Sequence, residues 1–187
     1  MTAVAVSLQD IQDQEICLIV ASAGKIREEN INLIKMLHSR DNYVLVISLN
    51  QPYDTLKRAY EKNGVSMDKV YIIDTVTKYA MGHDHEPVNN CRFVNNPGNL
   101  TDIGIAVTVA LSSLKGKKVS LLFDSVNAML IYISSQNITR FIHFVTTKLR
   151  LMNFSGIFLA VEKGLDPDVF SHLISFVDRV IDVEEEA

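Results

Sequence analysis

Residues 16–37 read ICLIVASAGKIREENINLIKML. The apolar run Ile16–Val20 predicts a buried strand. The small residues Ala21, Ser22, Ala23 and Gly24 predict a turn, and the residues after Lys25 carry an amphipathic helical pattern. Strand, small-residue turn and helix N-terminus together form the layout of a phosphate-binding loop. In the spacing rule G-x-x-x-x-G-K-[ST], Gly24-Lys25 supplies the G-K. Ile19 stands at the first glycine position and Ile26 at the Ser/Thr position. The stretch thus has the architecture of a nucleotide site without two of its four defining residues. It opens three readings: a nucleotide-hydrolysing enzyme, a nucleotide-binding regulator, and a relic that binds only proteins.

Outward from this stretch, strand and helix patterns alternate to the end. YVLVISL (43–49), VYIID (70–74), VSLLFDS (119–125), GIFLAV (156–161) and RVIDV (179–183) are short apolar runs rich in β-branched residues. Such runs suit strands covered on both faces. Helical patterns lie between them. Tyr53, Leu56, Ala59 and Tyr60 share one face after Pro52, with Gly64 as the stop. Leu100–Leu114 is amphipathic and ends at Gly116. Ile138–Met152 is the clearest helix, with Arg140, Lys148 and Arg150 on its wet face. Asp166-Pro167 opens the last helix. Residues 1–14 are a weakly patterned lead-in, expected to add an edge strand or to stay loose. Residues 76–99 are expected to be a long irregular loop, and Asn127–Ile133 a short helical turn. The expectation is one domain over 1–187, a three-layer α/β/α fold with a mostly parallel sheet.

Composition narrows the function classes. Apolar residues make up 48% and charged residues 21%, so one chain of 187 residues has the material for a substantial core. The net charge of −4 argues against a nucleic-acid binder working through a basic surface. No apolar run reaches the roughly 18 residues that span a membrane, and the acids early in the N-terminus are unlike a secretory signal. Cys17 falls in a strand and Cys91 in the polar loop, with no disulfide spacing. These features point to a cytoplasmic chain.

The residues able to carry chemistry fall near strand ends. Asp124 closes an apolar strand, the place from which a nucleotide-hydrolysing protein holds magnesium, and equally a place for a turn cap. Lys25 at a helix start opposes the helix dipole unless an anion is near, which favours an anion site, past or present. With Ser22 and Gly24 it forms the candidate cradle. Ile26 supplies no hydroxyl for magnesium. Asn50 and Gln51 occupy the place expected of a water-activating carboxylate, and amides are poor proton acceptors. His83, His85, Glu86 and Cys91 in the 76–99 loop offer a second, metal-dependent reading without a second tight ligand pair.

The order of pieces AGK, VLVISLNQP, KVYIIDT, LTDIGIAVTVALSSLKGKK, VSLLFDSVNAML and FVDRVIDV resembles the RecA-like ATPase fold in its KaiC-like branch, over about residues 16–184. The resemblance implies a sheet order of 3-2-4-5-1-6, counting the six expected strands in chain order. It also gathers Ser22, Gly24, Lys25, Asn50, Gln51 and Asp124 around one crevice at the strands' carboxyl ends, with Asp124 in the Walker B place and Gly24-Lys25 in the Walker A place. The departures at Ile19, Ile26, Asn50 and Gln51 imply weak ATP binding at most and no hydrolysis. The expected role is a regulatory or signalling module with protein partners, homo-oligomers included. The 76–99 loop and Asn127–Ile133 are the expected contact surfaces.

Overall fold

A computed structural model describes residues 10–161 and 163–183. Residues 1–9 of the lead-in, Glu162 and the acidic end Glu184–Glu186 lie outside the described residues. Seven strands, β1 (Ile16–Ala21), β2 (Tyr43–Ser48), β3 (Val70–Asp74), β4 (Cys91–Phe93), β5 (Val119–Asp124), β6 (Ser155–Val161) and β7 (Arg179–Val183), form one sheet in the order β4-β3-β2-β5-β6-β1-β7. Every neighbouring pair is parallel. Without β4, this is the 3-2-4-5-1-6 order expected from the sequence.

Seven α-helices and a 3-10 helix (Met67–Lys69) join them among the described residues: α1 (Ile26–Ser39), α2 (Tyr53–Lys62), α3 (Thr77–Met81), α4 (Leu100–Ser113), α5 (Val126–Met129), α6 (Ser135–Met152) and α7 (Pro167–Phe176). The period-two geometry of a strand sends alternate side chains to opposite faces. Ile16, Leu18 and Val20 of β1 join Leu121 and Phe123 of β5 against α4, α6 and α7. Cys17 and Ile19 join Val44, Val46 and Leu122 against α1 and α2. Both faces are therefore covered, and β1 and β5 are buried along their whole length. Gly156 lets α6 lie close on β6, since a Cβ there would come within 2.6 Å of Leu149 Cδ1.

The 76–99 segment departs from the irregular loop expected of it. It contains α3 and the edge strand β4, which pairs Cys91 with Ile72 and Phe93 with Asp74. Asn90 fixes the start of β4: its carbonyl accepts from Ile72 N at 2.9 Å, and its side chain accepts from Tyr53 Oη at 2.9 Å. Cys91 is buried rather than loop-exposed, and burial pushes its thiol pKa up. The described part of the lead-in is neither a strand nor loose. Ile11 is buried against the α1 face, and its carbonyl accepts from Arg40. No helix among the described residues is long and apolar enough to cross a membrane.

Candidate functional site

The carboxyl ends of β2, β3 and β5 lie side by side, with Ser48 level with both Asp74 and Asp124. Ligands in open parallel sheets sit outside these ends. Each end is tied down by its own side chains. Asp74, fully buried, accepts from Tyr53 N at 2.7 Å and from Val76 N and Thr77 N at 2.9 Å, and also from the Thr77 hydroxyl. One carboxylate thus caps the starts of α2 and α3. Ser48 Oγ donates to Gln51 O at 2.6 Å and accepts from Gln51 N at 3.2 Å, closing the turn that holds Asn50 and Gln51.

Asp124 is buried at the end of β5, and its following peptide to Ser125 is cis. Its Oδ2 accepts from Asn30 Nδ2 at 2.9 Å, and Asn30 Oδ1 accepts from Tyr60 Oη at 2.9 Å. This chain of bonds ties β5 to α1 and α2. Burial pushes the Asp124 carboxyl up to about 6, with the Asn30 amide pulling the other way. Burial raises the Tyr60 hydroxyl too. Glu29, one residue before Asn30, is also buried and also shifted upward by desolvation.

Asn50, Gln51 and Asp124 line one small cavity together with Ile26, Arg27 and Asn30. Its volume is about 30 Å³, room for a water molecule or two. Ser22, Gly24 and Lys25 are not among its lining residues and form the turn after β1. There, Lys25 N and Ile26 N donate to Ser22 O at 3.0 and 3.1 Å. Ser22 Oγ is buried with no hydrogen-bond partner among the described residues. A Cβ on Gly24 would stand in open space. Ile19, at the first glycine position of the motif, is a fully buried strand residue paired with Leu159 and Ile181. The strand therefore runs two residues past the point where a phosphate loop would begin, leaving only Ser22–Lys25 for the turn.

Asn30 and Tyr60 were not singled out from the sequence. Tyr60 reads as one more apolar residue on the α2 face. Asn30 carries a usable signal: it is a polar residue on the same helical face as Leu33, Ile34 and Leu37, and a polar group on a buried face needs a partner. In the 76–99 segment, His85 stacks on Phe93 with ring centroids 4.2 Å apart, and its Nδ1 lies 2.7 Å from Glu86 O. His83 Nδ1 lies 2.9 Å from Asp84 O. Among the described residues no group of three or more His, Cys, Asp or Glu side chains is placed to hold a metal ion.

The sequence matches the family of unknown function DUF7504 over residues 28–183. The chain belongs to that family. No curated protein matches it. Among solved structures, it is similar to a protein of Pyrococcus horikoshii, PH0321, crystallised in complex with an unknown peptide. That match has 15% identity and a TM-score of 0.69, and covers 93% of this chain and 79% of the Pyrococcus one. It is also similar to the KaiC-like protein PH0186 of Pyrococcus horikoshii OT3, at 13% identity and a TM-score of 0.63, covering 94% and 74% of the two chains. At these identities the likeness is one of fold. The DUF7504 chain has a KaiC-like, RecA-type α/β architecture.

Proposed function

We propose that this chain is a non-hydrolysing KaiC/RecA-like module of the cytoplasm that acts in regulation or signalling by binding protein partners. One observation carries the reading: the backbone amides that would cradle a phosphate, Lys25 N and Ile26 N, are spent on Ser22 O. A phosphate cradle needs those donors directed outward. The rest of the crevice agrees. Its cavity of about 30 Å³ is an order of magnitude below the roughly 300 Å³ of a small ligand pocket. Asp124 is buried and one of its carboxylate oxygens is already taken by Asn30, which leaves it less able to reach a magnesium ion. Asn50 and Gln51 offer no carboxylate for activating water. The residues present do not fit a nucleotide's phosphates, and ATP would bind weakly, with little dependence on magnesium. The peptide carried by the Pyrococcus PH0321 crystal favours a polypeptide as the partner.

Hydrolysis and thermal-shift measurements test this together. Expected is no ATP or GTP turnover above that of Lys25→Ala, and no rise in melting temperature with Mg·ATP. A ligand at 100 times its Kd would stabilise by about 2.7 kcal/mol, a visible shift. Turnover that collapses in Lys25→Ala or Asp124→Ala would overturn the proposal.

A further inference from the structure

A groove of about 500 Å³ runs between α4 and α6, far larger than the crevice cavity. Ile105 and Val109 of α4 and Phe144 of α6 line it while 55%, 63% and 40% exposed. Gly104 sits in its wall, where a side chain would otherwise meet the rings of Phe144 and Phe141. Apolar side chains left in water along a helix–helix groove are the receiving half of a helix-in-groove contact.

Charge identifies the other half. α6 contains no Asp or Glu along its 18 residues, and α4 contains only Asp102, whose carboxylate accepts from the Asn99 side chain at 2.8 Å. Arg140 lines the groove, and Lys148 Nζ lies 5.4 Å from the centre of the Phe144 ring. Neither cation forms an ion pair among the described residues, whereas Arg150 of the same helix is paired with Asp178. Arg140, Phe144 and Lys148 follow each other at four-residue steps, placing the cations about 12 Å apart along the axis with the ring between them. A second copy on this groove would bring like charges together, because a two-fold contact sets a patch against itself.

We infer that the α4–α6 groove is the docking site for an acidic amphipathic helix of a partner protein. Such a helix would place one bulky apolar side chain beside Phe144 and a carboxylate one turn to either side, opposite Arg140 and Lys148. The inference rests on the protein-binding reading above and names its site and its partner chemistry.

Panning a displayed library of random 16-residue peptides on the full chain tests both levels. Enriched peptides are expected to carry acid–x₃–apolar–x₃–acid spacing. By fluorescence anisotropy they should weaken at least about tenfold on the Arg140→Glu/Lys148→Glu double variant, the loss expected for truncating paired charges. Gly104→Leu should weaken them similarly without lowering the melting temperature. Peptides with both acids changed to Lys should bind the charge-reversed variant and not the parent. Peptides that bind equally to parent and variants would overturn the groove and leave the protein-binding reading standing. No enrichment above a blank surface would overturn both. A concentration-dependent dimer in sedimentation, abolished by Phe144→Glu, would make a second copy the occupant and overturn the assignment.

Discussion

The crevice at the carboxyl ends of the strands and the groove between α4 and α6 lie on the same sheet, yet differ in how their polar groups are spent. In the crevice the ends of β2, β3 and β5 are engaged: Asp74 by two helix starts, Ser48 by its own turn, and Asp124 by Asn30 and, through it, Tyr60. In the groove, apolar side chains and Arg140 face water, with the half-buried Lys148 beside the Phe144 ring. A RecA-like fold is read by habit at its strand ends. Here the ends of β2, β3 and β5 hold the sheet and helices together, and the proposed docking surface lies on a helical face.

The largest expected effect tests how firmly the crevice is closed. Asp74→Ala removes the acceptor of Tyr53 N, Val76 N and Thr77 N at once. Losing caps at two helix starts and stranding buried donors should cost about 2–4 kcal/mol. Urea unfolding of the variant and parent measures it. A loss below about 1 kcal/mol would mean that water reaches these amides, and the contrast with the groove would fail.

A smaller effect sharpens the same point through pH. Asp124 holds its proton up to about 6 in the fold, whereas an unfolded aspartate releases it at about 3.9. Between these values the native chain binds a proton that the unfolded chain has lost. The contribution of Asp124 to stability is therefore complete below about pH 4 and is lost as pH rises through about 6, a change of about 1–3 kcal/mol. Asp124→Asn removes the titration, so the variant should gain on the parent between pH 4 and pH 7. Burial of Glu29 adds the same slope to both proteins and drops out of the difference. A difference that stays flat with pH would show a hydrated carboxylate and an open crevice.

The sheet was legible because its strands are continuous β-branched runs and its helices carry clear apolar faces. Those signals fixed six strands, and family resemblance supplied their order. β4 was not legible: three residues, Cys91–Phe93, show too little alternation to stand out among the flanking asparagines, and what makes them a strand is pairing with β3 and the anchor at Asn90. The Gly-Lys turn was legible as a motif, but its donors' destination was not, because a backbone bond from Lys25 N to Ser22 O leaves no mark in side-chain identity. The wet face of α6 was read from Arg140 and Lys148. That their neighbours include exposed Ile105, Val109 and Phe144 depends on how α4 lies beside α6, which no single helix records.

The smallest effect concerns Gly104, and it separates a groove that is merely open from one kept open. A glycine inside a helix costs about 0.5–1 kcal/mol relative to alanine, because the unfolded chain is freer and the helix backbone less covered. A Cβ added at Gly104 would meet Phe144 Cε1 at 3.6 Å and Phe141 Cε2 at 3.8 Å, ordinary contact distances that require nothing to move. Gly104→Ala should therefore stabilise the chain by about 0.5–1 kcal/mol, read as a raised urea midpoint with an unchanged slope. A loss of stability would show that α4 and α6 are packed too closely here to admit a methyl group, and the groove would then be as closed as the crevice. A gain in stability accompanied by weaker peptide binding would show the opposite: this helix gives up stability at Gly104 to keep room beside the Phe144 ring.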